Sequence, residues 1–83
     1  MNIEDEEYAV ELSSLSQPYS ENGKTVEVEI YKGEDDEGWI LEVLDTKGNS
    51  MIAEEMFKTD KEAWDQFVLD VKEEGIDTFI RKD

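Results

Sequence analysis

Residues 4–16 read "EDEEYAVELSSLS", and the fold turns on whether this stretch coils or extends. Tyr8, Leu12 and Leu15 stand at i, i+4 and i+7, one stripe of a helix, while Tyr8, Val10 and Leu12 alternate as on a half-buried strand. Two local signals favour the helix. Glu4, Asp5, Glu6 and Glu7 would fill its first turn, where the partial positive charge of unpaired N–H groups attracts carboxylates. Pro18 would stop it shortly after Ser16, because the residue before a proline is pushed out of the helical region. The expectation is a first helix ending near residue 16.

Downstream, the pattern changes period. Residues 18–33, "PYSENGKTVEVEIYKG", open with turn formers that include Asn22-Gly23 and then alternate: Val26, Val28 and Ile30 on one side, Thr25, Glu27, Glu29 and Tyr31 on the other. Residues 38–45, "GWILEVLD", repeat the alternation with Trp39, Leu41 and Val43 against Ile40, Glu42 and Leu44. Glu42 marks the second set as the outer one. Gly48 suits a short hairpin loop, which predicts a third, antiparallel strand over residues 50–57. Within it "IAEEMF" does not alternate, as expected of an edge strand or a bulge.

Residues 59–76 carry the clearest helix signals. Thr59 and Glu62 are spaced as a capping box, and Ala63, Trp64, Phe67, Val68 and Val71 form one apolar stripe, with Leu69 left on the polar side. Gly75 is placed for a left-handed end, with Ile76 positioned to touch Val71 as in a Schellman closure, and Phe79 and Ile80 can pack back on the core. The predicted fold class is α+β: helix, three-stranded antiparallel meander, helix, a two-layer αβββα domain spanning residues 1–83.

Composition narrows the function. The 83 residues hold 24 acids and 8 bases, a net charge of −16, and the first base is Lys24. Such a field repels polyphosphates and anionic lipid, so direct nucleic-acid or membrane binding is not expected and any partner should be basic. The absence of cysteine rules out disulfides and thiolate metal sites and leans toward the cytoplasm. No apolar run approaches the ~18 residues of a membrane span.

The acid run Glu34, Asp35, Asp36, Glu37 invites comparison with a calcium loop, which needs alternate oxygen ligands, a glycine at the sixth position and a carboxylate at the twelfth. Taking Gly38 as the sixth puts Gly33 first, and starting at Asp45 puts Lys47 third and Met56 twelfth. Neither register works, so the run reads as a solvated turn, and no metal or cofactor is expected. With no His and no Cys, nucleophilic catalysis lacks its usual parts. Pairs such as Glu54-Glu55 or Glu73-Glu74 would need one desolvated member to do acid and base work, whereas acids in such numbers are ordinarily solvated surface. No enzyme is expected.

The run 39–45, the turn 47–50, Phe57 with Thr59-Asp60, and Glu73-Glu74-Gly75-Ile76 resemble a group of short, acidic, uncharacterised bacterial proteins sharing W-x-L-E-V-x-D, G-N-S, F-x-T-D and E-E-G-I. The likeness covers residues 24–80, and residues 51–55 depart from it where such proteins often carry Trp-Asp. It implies a bacterial origin and an αβββα domain and carries no activity. That order of elements is also similar to the double-stranded RNA-binding domain. The basic helix start which that domain uses is replaced here by Asp60-Lys61-Glu62, and topology alone gives no function.

The functional expectation is a non-enzymatic protein-interaction module for a basic or mixed partner. Its candidate face is the outer side of the sheet, Glu27, Glu29, Tyr31, Ile40, Glu42 and Leu44, which mixes acids with apolar groups. The alternative is a nucleic-acid mimic whose dispersed acids occupy a DNA-binding protein.

Overall fold

The computed structural model describes residues 10–80. The chain runs β1 (Val10–Leu12), β2 (Gln17–Glu21), β3 (Lys24–Gly33), β4 (Ile40–Leu44), β5 (Ser50–Ile52), α1 (Asp60–Glu74) and a 3-10 turn at Ile76–Phe79. All strand pairings are antiparallel, with β3 and β4 central and β5 at one edge. The class is α+β, and among the described residues an antiparallel sheet of five strands followed by one α-helix stands where a three-stranded meander between two helices was expected.

The expected first helix is not found over residues 10–16. Residues 4–9 of the expected helix lie outside the described residues, and Val10–Leu12 is extended, with Leu12 opposite Tyr31 and Val10 opposite Gly33. β3 is ten residues long and offers backbone donors and acceptors on both edges. β4 satisfies one edge, and the segment before β3 satisfies the other, a stronger demand than the helix preference of a few residues, which is marginal in so short a segment. The helical stripe also fails as a core: Leu12 is 61% exposed.

Pro18 does not end a helix. It lies in β2 opposite Glu27, and an edge strand tolerates a residue without an N–H. Asn22 (φ 55°) and Gly23 (φ 76°) make the tight two-residue turn between β2 and β3, both central residues at positive φ as that hairpin type demands.

β1 and β2 lie end to end along one edge of β3, separated by a crease. Between the pairs Leu12/Tyr31 and Gln17/Val28, four residues (13–16) face two (29 and 30). Two extra residues restore the inside/outside alternation, so Tyr19 faces inward opposite Val26. Serine hydroxyls replace the missing ladder bonds. Ser16 Oγ accepts from Ile30 N (3.0 Å) and donates to Ile30 O (3.2 Å), and Ser13 N donates to the same carbonyl (2.8 Å). Ser13, buried, donates its hydroxyl to Asp60 Oδ2 at 2.7 Å and so ties the crease to the start of α1.

The opposite edge is creased in the same way. The third strand expected over residues 50–57 shortens to Ser50–Ile52, residues 53–56 bulge out, and Phe57 returns to bridge Trp39 through N···O bonds of 2.7 and 2.9 Å. The bulge expected from "IAEEMF" is therefore present.

Val26, Val28, Ile30, Leu41 and Val43 form the buried inner face, covered by Ala63, Phe67 and Val71 of α1 and by Ile76. Trp39, expected inside, is only half-buried at the margin, with Lys32 Nζ 5.8 Å from its ring centroid. The helix starts as predicted: Thr59 Oγ1 accepts from Glu62 N at 3.1 Å. Its end differs from the Schellman expectation, since Gly75 adopts φ 88° and ψ 156°. That extended positive-φ region is essentially reserved for glycine, so the residue type is still explained. Lys24, at the start of β3, pairs with Asp77 of the 3-10 turn at 2.6 Å. Among the described residues no helix is long and apolar enough to cross a membrane.

Candidate interaction face

The ladder register brings all six residues of the candidate face onto one side of the sheet. Paired residues share a side in an antiparallel ladder, and three rows result. Leu12, Tyr31 and Ile40 form the first, Glu29, Glu42 and Ile52 the second, and Pro18, Glu27, Leu44 and Ser50 the third. Val10, Leu12 and Ile52 extend the face beyond the six and are 51%, 61% and 56% exposed. Sequence reasoning assigned Val10 and Leu12 to a helix. The Tyr8, Val10, Leu12 alternation was the signal that would have found them.

Among the described residues no lysine or arginine is paired on this side. Lys24 and Lys32 have the opposite parity in β3, Lys24 reaching Asp77 and Lys32 lying over Trp39. Glu29 and Glu42 stand directly opposite each other, an arrangement that like charges disfavour. Tyr31 offsets part of this by donating its hydroxyl to Glu42 Oε1 at 2.8 Å. Burial, the Glu42 hydrogen bond, and the charges of Glu42, Glu29 and Asp36 push the Tyr31 hydroxyl from its ordinary value of 10.0 up to about 12.

This shift gives a pH prediction. A phenol whose folded value lies above its unfolded value stabilises the fold fully below about pH 10 and loses that contribution as pH rises toward 12. Phenolate absorbance should show a late-titrating component that disappears in Tyr31→Phe. Retention of that component in the variant would assign it elsewhere. Tyr19 is a second tyrosine raised by a glutamate, its hydroxyl donating to Glu21 Oε1 at 3.0 Å, so the variant is needed to separate the two.

The acid run at residues 34–37 behaves as a turn. Asp36 folds back so that its Oδ2 accepts from Gly33 N at 2.9 Å and its N–H donates to Gly33 O at 3.1 Å. Asp45, buried in the β4–β5 hairpin, accepts from the N–H groups of Lys47 and Asn49, both at 2.9 Å. Among the described residues no group of three or more His, Cys, Asp or Glu converges in an arrangement that could hold a metal.

No family model matches the chain, and no curated protein or solved structure matches it either.

Proposed function

We propose that the protein is a non-enzymatic interaction module that uses its outer sheet face to bind a protein presenting Lys or Arg side chains around an apolar centre. One observation supports this reading above the others. The face combines exposed apolar side chains (Val10, Leu12, Ile52) and half-buried ones (Tyr31, Ile40, Leu44) with three glutamates and, among the described residues, no paired base. Apolar contact supplies affinity, and the uncompensated acids steer and select a cationic partner. A phosphate mimic needs dispersed charge and has no use for an apolar centre, so the protein-binding reading is preferred to nucleic-acid mimicry. Intracellular residence belongs to the same proposal, resting on the cysteine-free composition.

The test is capture from lysate with the wild type and the double variant Glu27→Lys/Glu29→Lys, at low and high salt. Both positions lie on the outer side of β3, away from the core, so circular dichroism should be unchanged. Capture should fall by an order of magnitude or more on charge reversal and decline with salt. A partner held equally by both proteins refutes the proposal, and one displaced by duplex DNA would restore mimicry.

A further inference from the structure

A second surface lies on the other side of the sheet, and the proposal it supports does not depend on the outer face. Helix α1 covers the β2 side of the inner face, where Tyr19 packs on Trp64 and Phe67, but it leaves the β5 side open. Met51 points inward opposite Val43, yet it is 49% exposed. A trough therefore runs between β5 and α1. At one end Leu41, Val43, Met51 and Phe79 line a largely apolar hollow of about 180 Å³. Through Leu41, Ala53 and Asp70 it continues into a wider stretch bordered by Glu54 and Glu55, and from there past Phe57 and Gln66 toward Glu62. Among the described residues no Lys or Arg lines any of these three segments. Lys61, on the first turn of α1 near Glu62, is held by Asp65 at 3.0 Å.

The edge of β5 beside the trough is also available to another strand. Ala53 N donates to Leu41 O, so the alternation of the ladder turns Met51 toward β4 and the N–H and C=O groups of Ser50 and Ile52 outward. Among the described residues no strand lies beyond β5. An apolar floor, an acidic rim and free backbone groups along one side match an extended cationic peptide better than a helix, which could not use the edge. A second copy of this chain, at net charge −16, would bring like charge to the rim.

We infer that the trough between β5 and α1 binds an extended peptide, paired to Ser50 and Ile52, with apolar side chains in the hollow and Lys or Arg against Glu54, Glu55 and Asp70. The experiment is an NMR titration of the full chain with a blocked peptide of alternating Lys and Val, about seven residues long. Saturable shifts should centre on residues 50–53, Asp70 and Phe79, with slowed exchange of the Ser50 and Ile52 amides. The triple variant Glu54→Gln/Glu55→Gln/Asp70→Asn should bind on the order of tenfold more weakly. Met51→Lys, at a half-exposed position that leaves the core intact, should abolish the shifts at Phe79. Four results would overturn the inference: shifts confined to the outer residues Glu27 and Glu42, equal response to a Lys and Ser peptide lacking apolar groups, helix formation by the bound peptide, or self-association that closes the trough before peptide is added.

Discussion

Phe67→Ala is expected to destabilise the protein by about 3–5 kcal/mol, the usual range for truncating a fully buried aromatic. Phe67 is 0% exposed and stands at the centre of an aromatic cluster. Its ring centroid lies 5.2 Å from Tyr19 in an edge-on contact, 5.5 Å from Trp64 and 5.2 Å from Phe79. Those neighbours come from β2, from α1 itself and from the 3-10 turn, so one side chain fastens three separate elements. A domain of this length has a total stability of only about 4–12 kcal/mol at typical per-residue values. The loss should lower the melting temperature by at least about 12 °C and put much of the chain in the unfolded state on modest heating. Leu69→Ala, two positions along the same helix and 45% exposed, is the control and should change stability by less than about 0.5 kcal/mol. Equal losses for the two variants, measured by denaturant unfolding, would mean that α1 does not dock on the face that the aromatic contacts define.

The same contrast explains what the sequence could and could not reveal. The inner faces of β3 and β4 were legible because Val26, Val28, Ile30, Leu41 and Val43 are all nearly fully buried, so burial imposed the period of two on the sequence. The start of α1 was legible because Thr59 caps it by a local bond to Glu62 N. β1 carries no such imprint: its side chains at Val10 and Leu12 remain exposed, and it is extended because the far edge of β3 needs backbone partners. That is a long-range requirement, and its one local trace, the Tyr8, Val10, Leu12 alternation, competes with a helical stripe through Tyr8, Leu12 and Leu15. β2 was hidden for a related reason, since Pro18 and the serines read locally as loop, and only the Asn22-Gly23 turn beside an alternating run marked the hairpin. The six residues of the candidate face were recoverable because they are the complement of the buried set on β3 and β4. Its apolar extension on β1 and β5 depends on register, as does the trough beside β5.

Gly38→Ala is expected to cost about 2–4 kcal/mol, although the substitution adds one methyl group and strains no φ angle. A Cβ at this position would lie 2.8 Å from Met56 Cβ and 2.9 Å from Phe57 O. The first of these atoms is fixed by its own backbone, and the second is the carbonyl that accepts from Trp39 N at 2.7 Å. Relief requires moving the strand return at Met56 and Phe57, which lengthens both bonds of the Trp39/Phe57 bridge and shifts the entry to the Thr59 cap. Overpacking of about 1–3 kcal/mol and the partial loss of two hydrogen bonds, each about 1 kcal/mol, combine to that figure. Gly33→Ala makes the comparison sharp, because its added Cβ would be still closer to a neighbour, 2.7 Å from Asp36 Oδ2. That atom is the far end of a side chain that can rotate away, surrendering only its bond to Gly33 N, so the cost should stay near 1 kcal/mol. Urea midpoints for the two variants separate the arguments, and Trp39 emission should shift to the red in the first, where the bridge that holds the ring at the core margin opens. If Gly33→Ala proves as damaging as Gly38→Ala, then distance alone governs the cost, and the crease at residues 53–56 is not the rigid support for Trp39 and Phe57 that its hydrogen bonds indicate.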